Sequence, residues 1–400
     1  MDRENHKKGM RNIIFLGLVS CFADISSEMV YPIIPLYITA VLGATPALVG
    51  VIEGIAESVA SLLKVFSGYI SDRFQKKKLI AFTGYATGVI YKLALIFANS
   101  WVGILSARVI DRFGKGIRTA PRDVMVAESA DKSSMGKSFG IHKMLDMAGS
   151  AVGILIAFVL VTTMGESSYR MIFAVSIIPV LIALLLFVFI RENKEKREIV
   201  QREHFWKNIG SLDSQLKTYL AVTFLFTLGN SSNSFLLLRA YDVGFSSSTA
   251  ILLYFIYNLT ASILAVPCGK LSDKIGRKKL LVTGYLLFAV VYFGFAVCTN
   301  KVLLILIFVL YGGFTAMTAG VERAFISELA PKELKGTMLG LHSTLAGIAL
   351  LPASLIAGLL WEHIGAYAPF VYGSVMALLS ATILRFGIKN TKTEQAASLR

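Results

Sequence analysis

The sequence is poor in cysteine and in acidic residues. Its 400 residues include only three cysteines, and 25 acidic residues stand against 40 basic ones. It also contains no P-loop, no His-Glu-x-x-His pattern and no Cys-x-x-Cys pair. Cys21, Cys268 and Cys298 all fall inside long apolar runs, which argues against a disulfide framework and predicts small packing residues. We therefore expect no enzyme activity, no metal site and no cofactor.

Long apolar runs dominate what is present. The hydrophobic fraction is 55%, and the mean hydropathy is +0.66. Runs of about twenty residues indicate membrane-spanning helices, because each backbone polar group in hydrocarbon must be satisfied within its own segment. We predict an all-α membrane protein with twelve transmembrane helices in two pseudo-symmetric six-helix bundles. The predicted spans, numbered 1 to 12, are 12–40, 47–71, 79–98, 102–126, 138–163, 170–190, 219–240, 246–268, 280–298, 301–327, 335–361 and 367–388.

The net charge of +15 is unevenly placed along the chain. Basic residues gather at both termini, after spans 2 and 8, and in the segment between spans 6 and 7. The loops on the other side carry only Arg170, Arg239 and Lys301. This is the positive-inside pattern, which predicts a cytoplasmic-membrane protein with both termini in the cytoplasm. Topology explains the charge, so we expect no nucleic-acid partner. The charged N-terminus also predicts a retained first helix rather than a cleaved signal peptide.

One motif occurs twice. GYISDRFQKKK at 68–78 returns as GKLSDKIGRKK at 269–279. Glu128, Lys132 and His142 recur as Glu328, Lys332 and His342 at a constant offset of 200. A constant offset over half the chain indicates duplication of a half-chain module. The predicted organisation is an N-terminal six-helix bundle at 1–190, a cytoplasmic linker at 191–217 and a C-terminal six-helix bundle at 218–400.

The repeated pattern Gly-x-Leu-Ser-Asp-Lys/Arg-x-Gly-Arg-Lys resembles the signature loop of the major facilitator superfamily of transporters. The second copy fits throughout, whereas the first has Ile70 and Gln75 in place of leucine and glycine. With twelve spans and duplicated halves, the resemblance covers nearly the whole chain. It implies two bundles that rock around a central cavity, with spans 3 and 6 of each half outermost. It also implies a bilayer-embedded carrier of a small molecule, complete as a monomer.

By the same resemblance, the signature loop latches the bundles in the outward-facing state. Gly68 and Gly269 would permit close helix approach, and the two aspartates could cap a neighbouring helix N-terminus. Asp123, at the end of span 4, is expected to pair with Arg73. The alternative is that the loop cations only enforce topology. The residues assigned to the latch are Gly68, Asp72, Arg73, Asp123, Gly269, Asp273 and Arg277.

The N-terminal half carries charges inside its spans. Five charged residues of span 4, from Arg108 to Arg122, recur at steps of three and four, which places them on one helix face that cannot meet lipid. Spans 1, 2 and 5 carry further charges, whereas spans 3 and 6 are almost free of them, Lys92 excepted. An intramembrane charge is costly unless paired or hydrated, so the set is a functional hypothesis. The candidate substrate- or proton-binding residues are Asp24, Glu28, Tyr31, Glu57, Arg108, Asp111, Arg112, Lys115, His142, Asp146, Asn230 and Asn233.

Individual members of this set allow a second interpretation. Glu53, Arg118 and Arg122 lie nearer the span ends and are also consistent with a structural salt-bridge network. The carboxylates of spans 1, 2 and 5 are candidates for proton coupling, and His142, one turn from Asp146, could form a relay with it. Because this histidine recurs as His342 without an acid one turn on, a packing role is the alternative for both histidines.

The C-terminal half is less charged. A polar patch at 230–234 lies in span 7, Tyr254, Tyr257 and Asn258 lie in span 8, and Glu322 and Arg323 lie near the end of span 10. Some of the patch is expected to loosen span 7, while Asn230 and Asn233 could share a cavity face. Substrate contacts would then be divided between a charged half and a polar, aromatic half, as the resemblance implies.

Three functions remain open at this point. The first is proton-coupled export of a drug or metabolite by antiport, although span 5 lacks the proline that such antiporters usually carry. The second is an organic-anion or metal-chelate uniporter or symporter, which the cations of span 4 favour. The third is a non-transporting membrane sensor built on a transporter scaffold.

Overall fold

The computed structural model describes residues 2–74, 76–130, 135–165, 169–192, 213–330 and 335–388, with side chains except at 2–8, 64–74, 135–137, 139–140 and 335–337. Helices occupy nearly all of this part of the chain and it contains no strand, which confirms the all-α class. The first half contains α1 Asp2–Glu28, α2 Ile34–Leu36, a π turn Tyr37–Val41, α3 Pro46–Phe74, α4 Lys77–Phe97, α5 Trp101–Ser129, α6 Met135–Met164, α7 Tyr169–Val175 and α8 Ile177–Phe187. The second half contains α9 Ser214–Gly229, α10 Ser234–Asp242, α11 Ser247–Ile275, α12 Arg277–Val297, α13 Lys301–Thr318, α14 Val321–Leu329, α15 Lys335–His363 and α16 Ala368–Gly387.

Eleven helices or helix pairs of the described chain are long and apolar enough to cross a membrane. The twelfth predicted span is α5, which forms over its whole length but carries too many charges to satisfy the same hydropathy criterion. Its 29 residues extend about 44 Å at 1.5 Å per residue, which is sufficient to span a bilayer. The protein is therefore a multi-pass membrane protein whose most polar span needs neighbours to shield it.

The prediction of an unbroken span 1 is wrong. The helix ends at Glu28, and a turn over 29–33 precedes α2 and the π turn. Pro32 and Pro35 explain the break, because proline lacks a backbone N–H and clashes with the preceding helical turn.

Two further spans are interrupted by polar or small residues. Span 7 is divided by residues 230–233, whose asparagine and serine side chains compete for the backbone hydrogen bonds of a helix. Span 10 is divided at Ala319 and Gly320. The expected loosening of span 7 is thus observed as a complete break.

The described residues group into two compact units. The first unit lies within Met1–Ala44, Ile55–Val200 and Ser247–Leu252, and the second lies within Thr45–Gly54, Gln201–Ser246 and Leu253–Arg400. The units follow the predicted halves except for two short segments, one at the start of α3 and one at the start of α11. Most of the predicted linker, residues 193–212, lies outside the described chain.

Glycine pairs set the closest helix contacts in each unit. In the first unit, a Cβ on Gly84 of α4 would lie 2.8 Å from the carbonyl oxygen of Gly114 of α5, and one on Gly114 would lie 2.7 Å from that of Gly84. In the second unit, Gly229 of α9 and Gly373 of α16 face each other in the same reciprocal way. These contacts follow the small-residue rule of membrane helix packing, and the first fixes how α5 lies against α4.

We expect Gly114→Val to destabilise the protein by about 1–3 kcal/mol, because the added atoms would collide with Thr87 and with the backbone of Gly84. Gly340→Ala is the matched control, since a Cβ there would meet no described atom within 4 Å. The free energy of unfolding, measured by SDS titration in mixed micelles, checks this. Equal effects of the two substitutions would contradict the assigned α4–α5 contact.

Candidate functional site

The charged face of α5 is buried in the first unit. Arg108 is 1% exposed and Arg112 is 7% exposed. One carboxylate oxygen of Asp111, Oδ2, lies 3.7 Å from Nη1 of Arg108 and 3.7 Å from Nη1 of Arg112. A single acid therefore lies between two guanidinium groups, so their charge is only partly balanced within α5.

Two neighbouring elements complete this arrangement. Nη2 of Arg112 lies 2.5 Å from Oε1 of Glu57 on α3. The ring of Tyr31 lies 5.2 Å from the guanidinium carbon of Arg108 and 5.9 Å from that of Arg112. Tyr31 belongs to the turn after α1, so the break in span 1 brings an aromatic face to both cations in cation–π geometry.

Lys92 is a site residue that the sequence analysis missed. It is 1% exposed, its Nζ lies 4.0 Å from the centroid of the Tyr91 ring, and it interacts electrostatically with Asp111. Lys92 lies on α4, and the family resemblance implies that this span is outermost and so away from the central cavity. The sequence feature that indicates its role is that a lone lysine on an otherwise uncharged span needs an acidic partner inside the protein.

The cations of this region outnumber the acids. We name Lys92, Arg108, Arg112 and Lys115 the basic cluster; Glu28, Glu57 and Asp111 are its acids. Within the described chain, Lys115 makes no ion pair within 4 Å, and Oε2 of Glu28 is buried without a hydrogen-bond partner. Four cations against three acids leave an excess positive charge suited to an anion or a carboxylate group.

A pair of acids lies beside the basic cluster, on α1 and α6. Asp24 and Asp146 act on each other electrostatically, and Lys143 Nζ donates to Asp146 Oδ2 at 2.6 Å. Lys115 also acts electrostatically on Asp24. Two neighbouring carboxyl groups favour the binding of one proton, because two adjacent negative charges repel each other. We name Asp24 and Asp146 the acid pair.

The proposed relay from Asp146 to His142 is not observed. Nε2 of His142 lies 3.1 Å from Oγ of Ser20, which in turn contacts the hydroxyl of Tyr85 at 3.0 Å and receives a hydrogen bond from Arg122 at 3.3 Å. No hydrogen bond joins His142 to Asp146 in the described chain. The one-turn spacing allowed a contact, but each side chain has other partners on α1. We name Ser20, Tyr85, His142 and Arg122 the Ser20 network.

The latch residues of the first half are only partly visible. Gly68, Asp72 and Arg73 lie in the part of α3 whose side chains are outside the description, so the expected pairing of Arg73 with Asp123 stays a prediction. Asp123 accepts hydrogen bonds from Nε and Nη2 of Arg122 at 3.0 and 2.9 Å.

The second-half latch differs from expectation. Asp273 does not cap the N-terminus of α12; it lies 3.3 Å from Nη2 of Arg277, whose Nη1 lies 2.9 Å from Glu328. A Cβ on Gly269 would meet no atom of the described residues within 4 Å, so the close helix approach expected there stays a prediction. The corresponding pair in the first unit joins Lys77 to Glu128.

The next lysine of each loop has a specific contact. Nζ of Lys78 donates to the carbonyl oxygen of Ile190 at 2.6 Å, just after α8, and Nζ of Lys278 donates to that of Ile388 at 2.5 Å, just after α16. Lysines near helix C-termini commonly satisfy the last carbonyl groups in this way. The positive-inside rule alone therefore does not account for Lys78 and Lys278.

The polar patch of the second unit is tied to tyrosines. Asn233 donates to the Tyr257 hydroxyl at 2.8 Å and accepts from the Tyr311 hydroxyl at 2.8 Å, while Tyr292 donates to Asn230 at 3.5 Å. The two asparagines flank the break between α9 and α10. This break therefore presents amide groups to an aromatic surrounding, which can bind polar and planar groups.

We expect Glu57→Gln to lower the free energy of unfolding by about 3 kcal/mol, because it leaves the buried Arg112 without its closest acid. Lys143→Met should cost less than about 1 kcal/mol, since Lys143 is 65% exposed although its pair with Asp146 has the same geometry. SDS titration of both variants measures the difference. A larger loss in Lys143→Met would show that burial of the basic cluster is wrongly assigned.

Comparisons with known proteins agree with this architecture. The sequence profile of the Major Facilitator Superfamily matches residues 16–231 and 219–399. An uncharacterized MFS-type transporter of Methanocaldococcus jannaschii is 37% identical over 96% of this chain and 97% of its own length. A multi-drug resistance efflux pump homolog of Lactococcus lactis is 22% identical over 95% of each chain. Among solved structures, a variant of a nucleoside transporter superposes with a TM-score of 0.83 at 11% identity, covering 94% of this chain and 100% of that one.

Proposed function

The chain belongs to the Major Facilitator Superfamily of membrane transporters, and we propose that it moves a small organic anion together with protons. It is a transporter and not an enzyme. The proposal includes a location in the cytoplasmic membrane, both termini in the cytoplasm and a monomer as the transport unit. The observation that carries it is the placement of the acid pair beside the basic cluster.

The acid pair supports proton coupling. Repulsion between two neighbouring carboxylates favours the binding of one proton, and two acids on different helices of one unit can change their separation when helices move. Lys143 and Lys115 act on the two members from different helices, so movement of α5 or α6 would change the environment of the pair.

The basic cluster supports an anionic substrate. Arginine binds carboxylates through two parallel hydrogen bonds, and the Tyr31 ring beside Arg108 and Arg112 offers a flat apolar contact. A small organic anion with one carboxylate and a planar body fits this set of groups. Glu57 and Asp111 hold the guanidinium groups in place when no anion is bound.

The charges of the two groups set the direction of coupling. An anion in the basic cluster would cancel part of the positive charge that stabilises ionised Asp24 and Glu28, which favours proton binding. Proton binding would in turn make the region more positive and favour the anion. This reciprocity is thermodynamically required and favours symport of anion and proton.

A second candidate is export of a cationic solute by proton antiport. It is favoured by the similarity to a multi-drug resistance efflux pump homolog. A cation bound at the acid pair would compete with the proton, which is the condition for exchange. The two candidates differ in the direction of proton movement relative to the solute.

For symport, we expect a gradient of a membrane-impermeant carboxylate to carry protons in the same direction in reconstituted liposomes that contain a pH dye. Addition of such an anion, with one carboxylate and a planar polar body, outside the liposomes should acidify the lumen, and protein-free liposomes give the background. Alkalinisation on addition of a lipophilic cation would support antiport instead. The absence of proton flux with both the carboxylate and the lipophilic cation would contradict both candidates.

Two variants assign roles within this assay. Asp24→Asn should abolish substrate-driven proton flux, whereas Arg112→Gln should raise the half-saturating carboxylate concentration at least about tenfold, the effect of losing a charge-assisted hydrogen bond. Arg385→Gln, an exposed cation on α16, is the matched control and should behave as the unmodified protein. Intact flux in Asp24→Asn would remove the acid pair from the coupling mechanism.

A further inference from the structure

We propose that Glu322 and Tyr285 form a second proton-binding site, flanked by His342, in the second unit and distinct from the acid pair. This site belongs neither to the basic cluster nor to the asparagine-tyrosine group. It adds a proton position to the proposed function but does not depend on the identity of the substrate.

Glu322 is an acid without a counter-ion. It lies in the first turn of α14 and accepts a hydrogen bond from the Tyr285 hydroxyl of α12 at 3.0 Å. In the described chain it makes no ion pair within 4 Å, whereas Glu128 and Glu328 are each paired with a loop cation. Among the described residues, the one charged side chain that acts on it is the adjacent Arg323, which is exposed. A carboxylate in this setting gains from binding a cation.

His342 flanks this site, linked to the backbone of Glu322 through Tyr219, and has an unsatisfied ring nitrogen among the described residues. It is 7% exposed, and its Nε2 is buried without a hydrogen-bond partner among the described residues. Its ring stacks on that of Tyr219 of α9, with centroids 6.0 Å apart and planes at 15°. The Tyr219 hydroxyl donates to the backbone carbonyl of Glu322 at 3.3 Å. Tyr219, Tyr285 and His342 are thus the titratable groups that α9, α12 and α15 direct toward this region.

Comparison with the duplicated positions of the first unit supports the assignment of a proton site to Glu322. Tyr285 and His342 correspond, at the offset of 200, to Tyr85 and His142 of the Ser20 network, and Glu322 corresponds to Arg122. In the first unit, His142 is satisfied by Ser20 and the charged member is a cation paired with Asp123. In the second unit, the charged member is an unpaired acid and the imidazole nitrogen is unsatisfied. The same framework thus has the groups of a proton site in one copy and a structural network in the other.

The chemistry of the groups favours a proton over a metal ion. Carboxyl and imidazole side chains both exchange protons in water-accessible pockets, and the phenol of Tyr285 can donate to the ionised carboxylate. No cluster of three or more histidine, cysteine or acidic residues suited to a metal occurs in the described chain. A hard metal ion would need about six oxygen ligands, which these three side chains do not supply.

Infrared difference spectroscopy of the purified protein over a pH titration tests the site directly, without any substrate. We expect the carbonyl band of a protonated carboxyl group to lose the contribution of one group in Glu322→Gln. Glu328→Gln is the matched control on the same helix, because Glu328 has a cationic partner in Arg277, and it should leave the contribution assigned to Glu322 unchanged. An identical titration in Glu322→Gln and in the unmodified protein would overturn the proposal.

Tyr285→Phe provides a second, milder test. Loss of the phenol removes a hydrogen bond to the ionised carboxylate, so the protonated band should persist to higher pH. A titration unchanged in Tyr285→Phe would also count against the site, and this variant decides the question if Glu322→Gln does not fold. Because the readout is proton binding alone, its failure is distinguishable from failure of the carboxylate assay with Asp24→Asn.

Discussion

The balancing of buried charge inside the helices is the constraint on which the first unit depends. Each charge of α5 would be costly in contact with lipid, so the surrounding helices must supply partners. The Gly84–Gly114 contact brings α4 against α5, and Lys92 of α4 then faces Asp111. The break after α1 brings Tyr31 to the same cations, and α3 contributes Glu57. The local backbone features of three helices thus serve one electrostatic requirement.

The second unit has a similar order of helices but a less charged interior. Its ion pair between Arg277 and Glu328 repeats that between Lys77 and Glu128, so the loop contacts survive duplication. Its interior replaces the charges of α5 with asparagines and tyrosines around a broken helix. The two units therefore share their loop ion pairs and differ in the chemistry of their interiors.

The sequence predicted the helices better than their contacts. Hydropathy, length and flanking loops together located all twelve spans, and for α5 length and flanking loops were decisive because its charges lower its hydropathy. It missed the break at Pro32 because apolar residues continue on both sides of that proline. Spacing along α5 placed Arg108, Asp111 and Arg112 together, since that geometry is local to one helix.

Contacts between different helices could not be read in the same way. The acid pair requires α1 to pack on α6, and the site role of Lys92 requires knowledge that α4 turns this side chain inward. The expected link between His142 and Asp146 failed for the converse reason: one-turn spacing makes a contact possible, and tertiary partners such as Ser20 decide whether it forms. Local periodicity fixes which residues share a face, and packing fixes what that face meets.

The lysine contacts that follow the signature loop have a mechanical consequence. Lys78 donates a hydrogen bond to the chain just after α8, and Lys278 donates one to the chain just after α16, across 112 and 110 residues of sequence respectively. In each half, a hydrogen bond therefore joins the start of the third span to the end of the sixth. A displacement of the loop would have to break this bond or carry the end of the sixth span with it.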